Sequence, residues 1–164
     1  MAIKIEYKDM PHMKPVPMET KSKGLFGGIW LWIATTRKWE IVKDWKFAIT
    51  HEGNTHPTYY KIPKGFVFDG ASVPKFARSW LSPMGVLLSG GLVHDWIYKY
   101  ESLNLGGKKG HTAKMTQKEA DALFRDICID VNGFKVINYL AYYALRLGGF
   151  MAWNGHRKRN LKPS

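Results

Sequence analysis

The sequence predicts an α+β domain, an N-terminal β-meander packed against three or four helices, two of them antiparallel and carrying a His/Asp pair. Three observations carry this reading. Apolar and polar residues alternate between Trp39 and Phe68, apolar spacing becomes helical after Val73, and an Asp69-Gly70-Ala71-Ser72-Val73-Pro74 turn stands where the period changes. At 164 residues the chain is expected to form a single domain over 1–164, long enough to bury a core.

Residues 1–24 carry Pro11, Pro15 and Pro17 among scattered Met and Lys and predict an extended arm. From there Trp39 and Ile41, then Trp45, Phe47 and Ile49, alternate with Glu40, Asp44, Lys46 and Thr50. After a break at Glu52-Gly53-Asn54 a second run places Tyr60, Ile62, Phe66 and Phe68 on one face. This is the pattern of a hairpin or meander with one buried side, and the slip at Val42-Lys43 suits a bulge.

Val73 to Leu81 suits a short helix, with Ser72 as its N-cap and Pro74 in its first turn. Gly85 to Tyr100 is the second helix. Ser102 to Met115, rich in Asn and Gly, reads as a mobile loop. Thr116-Gln117-Lys118-Glu119 is a capping box that starts the third helix, with Ala120, Leu123, Phe124, Ile127 and Val131 as its apolar stripe and Asn132-Gly133 as its end. The last helix is expected from about Phe134 to Trp153, with Val136, Leu140, Ala144, Leu147 and Met151 on one face. Residues 155–164 read as a basic tail.

Composition narrows the function classes. Hydrophobic residues make up 45% and a single cysteine, Cys128, excludes an internal disulfide framework. The first residues lack the apolar core of a secretion signal, and no run is long and apolar enough to cross a membrane. The host cytoplasm or a virion is the expected location. A formal net charge of +12 favours an anionic substrate or surface, whether phospholipid, phosphate or nucleic acid; solubility, or an acidic protein partner, accounts for it equally well.

The chemistry concentrates in two helices. His94 and Tyr98 are four residues apart and share a face, while Asp95 points about 100° away. An antiparallel neighbour brings Asp121 to His94, giving a base and its orienting carboxylate. Asp95 is either the ligand of a hard cation or an ion-pair partner of Lys99. Asp69 is placed to reach into the same site. Ser72 lacks a Gly-x-Ser-x-Gly elbow, which argues against a serine hydrolase. The histidines show no zinc-type spacing, and Cys128 reads as a buried small apolar residue. Trp39, Trp45 and Trp80 suit base stacking, but their alternation with polar residues assigns them to the core first.

Four blocks in order carry a resemblance: Ile62-Pro63-Lys64-Gly65-Phe66-Val67-Phe68-Asp69-Gly70-Ala71-Ser72-Val73-Pro74, Val93-His94-Asp95-Trp96-Ile97-Tyr98, Ala120-Asp121-Ala122-Leu123-Phe124 and Tyr143-Ala144-Leu145-Arg146-Leu147-Gly148-Gly149. Over about 60–150 the chain resembles the small phage and prophage proteins grouped as domain of unknown function 1353, which implies a bacteriophage origin. The second and third blocks also resemble the viral phospholipase A2 domain. That likeness implies His94 as the water-activating base, Asp121 as its partner, Tyr98 as a supporting hydroxyl and Asp95 as a ligand of calcium or another divalent cation. The glycine-rich calcium loop of that domain is absent, and Asp69-Gly70 stands in its neighbourhood. A metal phosphohydrolase is a weaker analogy, with His56 as the one extra histidine in play. The expected function is a phage-encoded hydrolase of an anionic ester or phosphoester. The alternative is a non-catalytic protein, either a virion or tail component among phage structural proteins or a host-directed binding protein.

Overall fold

The structure, a computed structural model, describes residues 3–17, 38–68, 88–106 and 112–160, with side chains to residue 158. Among them are eight strands, β1 Ile3–Tyr7, β2 Met13–Pro15, β3 Trp39–Ile41, β4 Trp45–His51, β5 Thr58–Ile62, β6 Val67–Phe68, β7 Ser102–Leu105 and β8 Thr112–Lys114. Three helices follow the meander: α1 Leu88–Tyr100, α2 Gln117–Asn132 and α3 Lys135–Asn160. The α+β architecture is therefore observed. The expected short helix after Ser72 lies outside the described residues.

The alternation of β4 does what the sequence implies: Trp45, Phe47 and Ile49 are buried and Lys46 is exposed. β4 pairs antiparallel with β1 and with β5, Phe47 opposite Tyr7 and Tyr60. The meander is divided between two sheets, one ordered β1-β4-β5-β7-β8 and the other β2-β3-β6. The slip at Val42-Lys43 is thus a change of sheet rather than a bulge: β3 pairs Trp39 with Phe68, and the Val42 amide donates to the His12 carbonyl outside both ladders.

Three expectations are corrected. The supposed arm enters both sheets, through β1 at the edge of the larger and β2 at the edge of the smaller. The expected loop at 102–115 contributes β7 and β8, whose Leu103 is almost fully buried. Glu101, at φ 54°, turns the chain sharply off α1, and its carbonyl accepts from the Met115 amide to close the hairpin. The Asn and Gly residues marked the turn, but three- and four-residue strands are too short to show a period. The basic tail, in turn, continues as helix to Asn160.

α2 is delimited as its sequence predicts. Thr116 accepts from the Glu119 amide while Glu119 reaches back to the Thr116 amide, and Gly133 at φ 73° closes the other end on the Ile129 carbonyl. The stripe from Ala120 to Ile127 is buried, and Val131 at its end is exposed. α3 is the largest departure. Its buried face is Asn138, Ala141, Leu145 and Gly149, whereas Val136, Leu140, Leu147 and Met151 are exposed.

Candidate functional site

The three helices converge on one carboxylate. α1 runs antiparallel to α2: a Cβ on Gly90 would meet Cys128, His94 meets Asp121, and Tyr98 meets Gln117. α3 runs antiparallel to α2, joining Asn138 to Asn132, Arg146 to Asp121 and Gly149 to Gln117. Small residues permit the approach. A Cβ on Gly90 would stand 2.5 Å from the Cys128 sulfur and 3.0 Å from the Phe124 carbonyl oxygen. At Gly149 the Tyr98 hydroxyl fills the place a side chain would take.

Asp121, on α2, is wholly buried and accepts from the other two helices. His94 Nε2 lies 2.9 Å from its Oδ1, the Tyr98 hydroxyl donates to the same oxygen at 2.6 Å, and Arg146 Nη1 donates to Oδ2 at 2.8 Å. Gln117 Nε2 donates to the Tyr98 hydroxyl oxygen at 3.2 Å. The His94 and Tyr98 rings lie 4.0 Å apart between centroids with their planes tilted by 35°, a contact that i, i+4 spacing allows. The sequence-predicted pair and its tyrosine are therefore together.

The other His94 nitrogen, Nδ1, faces Asp95 Oδ1 at 3.5 Å, at the outer limit of a hydrogen bond. Burial alone would lower the His94 pKa, but hydrogen bonds and charge from Asp121 and Asp95 overcome it and hold the ring above its ordinary value. Burial pushes Asp121 up, and the donors from His94, Tyr98 and Arg146 reverse this and hold it below the carboxylate range. Desolvation first, then the Asp121 carboxylate, raise the Tyr98 phenol far above normal. Such shifts favour a carboxylate accepting from a positively charged imidazolium.

Asp95 and Tyr98 border an open cleft of about 660 Å³, walled by Phe66 and Phe68 and rimmed by Lys38, Lys99 and His156. Arg157 ties α3 to the end of α1, donating to the Tyr98 carbonyl, pairing with Glu101 at 2.7 Å and lying over the Trp153 ring at 4.3 Å. Asp95 is the one carboxylate among the described residues of this cleft, and no group of three His, Cys, Asp or Glu side chains converges among the described residues. Calcium takes six to eight oxygens, and the described residues of this cleft offer one carboxylate toward such a set. Asp69 and Ser72 lie outside the described residues, and His56 is exposed in the β4–β5 turn, far along the chain from this cluster.

Sequence reasoning missed the roles of Arg146, Gln117 and Gly149. Arg146 was legible in principle: a lone cation interrupting an apolar helix needs a buried counter-charge. Gly149 gave no such signal, because a mid-helix glycine marks close approach without naming what approaches.

The chain is thus an α+β domain whose three helices are tied by a His–Asp–Arg network centred on the buried Asp121. Residues 39–145 match the family described as Protein of unknown function (DUF1353), and the chain belongs to that family. No curated protein and no solved structure matches it.

Proposed function

We infer that this is a non-catalytic phage protein, a particle component or host-directed binding protein, in which the His94–Asp121 network is a structural clamp. One observation carries the reading: both nitrogens of a histidine only 2% exposed face carboxylates. A general base needs a neutral ring with a lone pair turned to water. Two flanking anions favour the doubly protonated ring, which has no lone pair to offer. The phage origin rests on the four sequence blocks and their order. In this reading the network fixes the register of three helices, as a fully satisfied buried polar network does.

A second reading is supported by a separate feature of the same geometry. The dyad distance of 2.9 Å is that of a base held by its carboxylate, and Nδ1 looks toward Asp95 on the cleft wall. An anionic ester or phosphoester with an apolar body fits a cleft with Phe66 and Phe68 on its wall and Lys38 and Lys99 at its rim. Water attacking the ester carbon or phosphorus there would pass its proton to Nδ1, and the imidazolium would return that proton to the alkoxide released as the ester bond breaks. For calcium or another divalent cation, the described residues of the cleft supply one carboxylate, Asp95.

The two readings separate by assaying purified wild type and His94→Ala against phospholipid and phosphoester substrates with calcium, magnesium or manganese, alongside thermal unfolding. The clamp reading expects no turnover in the wild type and a melting temperature several degrees lower in the variant. Wild-type turnover abolished by His94→Ala at unchanged melting temperature would overturn it. Detection of the protein in purified particles assigns it to the virion.

A further inference from the structure

The exposed face of α3 is the wrong composition for water. From Val136 to Asn154 no exposed residue of the helix is charged. Val136, Ile137, Tyr139, Leu140, Tyr143 and Leu147 are all more than 40% exposed, as are Phe150 and Met151. Together these side chains leave on the order of 1,000 Å² of largely apolar surface in solvent, beyond the roughly 300–600 Å² of the largest patch on a typical monomer. It also exceeds the ~800 Å² that each partner contributes to a standard specific interface.

Spacing says what covers it. Val136, Leu140, Tyr143, Leu147 and Phe150 follow each other at intervals of four, three, four and three, the seam of a two-helix coiled coil. The series is also nearly symmetric about Tyr143. Turned end for end on a second copy, Val136 meets Phe150, Leu140 meets Leu147, and Tyr143 meets itself. A two-fold interface requires this self-complementarity. Charge selects the same orientation. α3 has no acidic residue, and apart from Arg146, which pairs with Asp121, its lysines and arginines are Lys135 and Arg157-Lys158-Arg159. A parallel pair would bring the two C-terminal clusters together. An antiparallel pair carries each toward the partner's opposite end, where α2 closes with Asp126 and Asp130 beside a cleft of about 510 Å³.

We propose that the exposed stripe of α3 is a homodimer interface, an antiparallel helix pair formed with a second copy of this chain about a two-fold axis near Tyr143. This goes beyond the functional reading above and does not depend on the His94 network, which meets α3 at Gly149 on its buried face and at Arg146 on the border of the stripe.

The test is sedimentation equilibrium of the full chain, with circular dichroism to show that each variant is folded. The wild type is expected to be a dimer at micromolar concentration. Leu147→Glu alone and Leu140→Lys alone should each weaken association at least tenfold, because each puts two unpaired charges in the seam. Leu140→Lys combined with Leu147→Glu should restore the dimer in low salt, since each lysine then faces the partner's glutamate. A wild type that stays monomeric at about 100 μM overturns the proposal, whether the stripe is covered by the chain's own apolar 25–34 segment or by lipid. Co-sedimentation of that monomer with phosphatidylglycerol–phosphatidylethanolamine vesicles, lost in Leu147→Glu, assigns the face to lipid. A dimer unaffected by Leu147→Glu overturns it equally, and failure of the double variant to recover overturns the antiparallel register.

Discussion

Gly149 on α3 stands against the hydroxyl of Tyr98 on α1, so closely that the oxygen takes the place of a side chain. The hydroxyl can therefore reach Asp121 only because residue 149 has no Cβ. Gly149→Ala should push Tyr98 off the carboxylate and cost roughly 1–3 kcal/mol, the range for overpacking a filled site. The neighbouring Gly148 has nothing within 4 Å of its added Cβ. Gly148→Ala should instead gain about 0.5–1 kcal/mol from helix propensity. Tyr98→Phe removes the oxygen that the added methyl group would strike, so combining it with Gly149→Ala should destabilise less than the sum of the two single changes. Urea unfolding of the wild type, the two single variants and the double variant checks this, and strict additivity would remove the steric link.

Asp121 is the hub of the network and Arg146 a peripheral member. Arg146 is 34% exposed at its side chain and Asp121 is fully buried. Water screens the guanidinium, so Arg146→Met should cost only about 1 kcal/mol, near the upper end for exposed ion pairs. Asp121→Asn leaves His94 and Arg146 without their counter-charge and should cost roughly 3–5 kcal/mol, as breaking a buried pair does. In the Asp121→Asn background, Arg146→Met should be close to neutral. Urea midpoints at constant slope measure all three, and equal costs for the two single variants would refute the ranking.

How much of this was legible in the sequence depends on whether the signal was local. The capping box at Thr116–Glu119, the Gly133 stop and the buried alternation of β4 are contacts within a few residues, and each is as expected. The His94–Asp121 pair was legible because i, i+4 geometry puts His94 and Tyr98 together, leaving one partner to find. α3 misled for a physical reason. Its sequence carries two apolar faces, and periodicity shows that a face exists without saying which one the fold buries. The face with larger side chains, Leu140 and Leu147, is outside; the face with small ones, Ala141 and Gly149, packs on α1 and α2 because the helices must approach closely to share Asp121.

Cys128 should be inert in the folded protein. It is fully buried, faces Gly90 across the α1–α2 contact, and desolvation pushes its thiol pKa up to about 12. The thiolate is the reactive form, and burial removes both its population and its access. A disulfide reagent at pH 8 should leave Cys128 unmodified in buffer and label it stoichiometrically in denaturing urea. Rapid labelling under native conditions would mean that the α1–α2 contact opens readily, and the clamp would lose its role in holding these helices.

The pH dependence of stability follows from opposite shifts within one network. The His94 pKa is raised in the folded protein, so its stabilising contribution is fully present below the unfolded value of about 6.5 and is lost as pH rises through the folded value. Asp121 is lowered, so its contribution is present above the unfolded value of about 3.9 and is lost as pH falls through the folded one. The network therefore stabilises most between about pH 4 and 6.5. The net charge of +12 adds a general repulsion that grows toward acid, so the informative quantity is the difference between variants at each pH. Melting temperatures from pH 4 to 9 should show the wild type losing its advantage over His94→Gln as pH rises above about 6.5, while Asp121→Asn abolishes the coupled behaviour. An advantage that grows with rising pH would mean that the neutral ring is the stabilised form. His94 would then hold a lone pair toward Asp95 and the cleft, and the hydrolytic reading would displace the clamp.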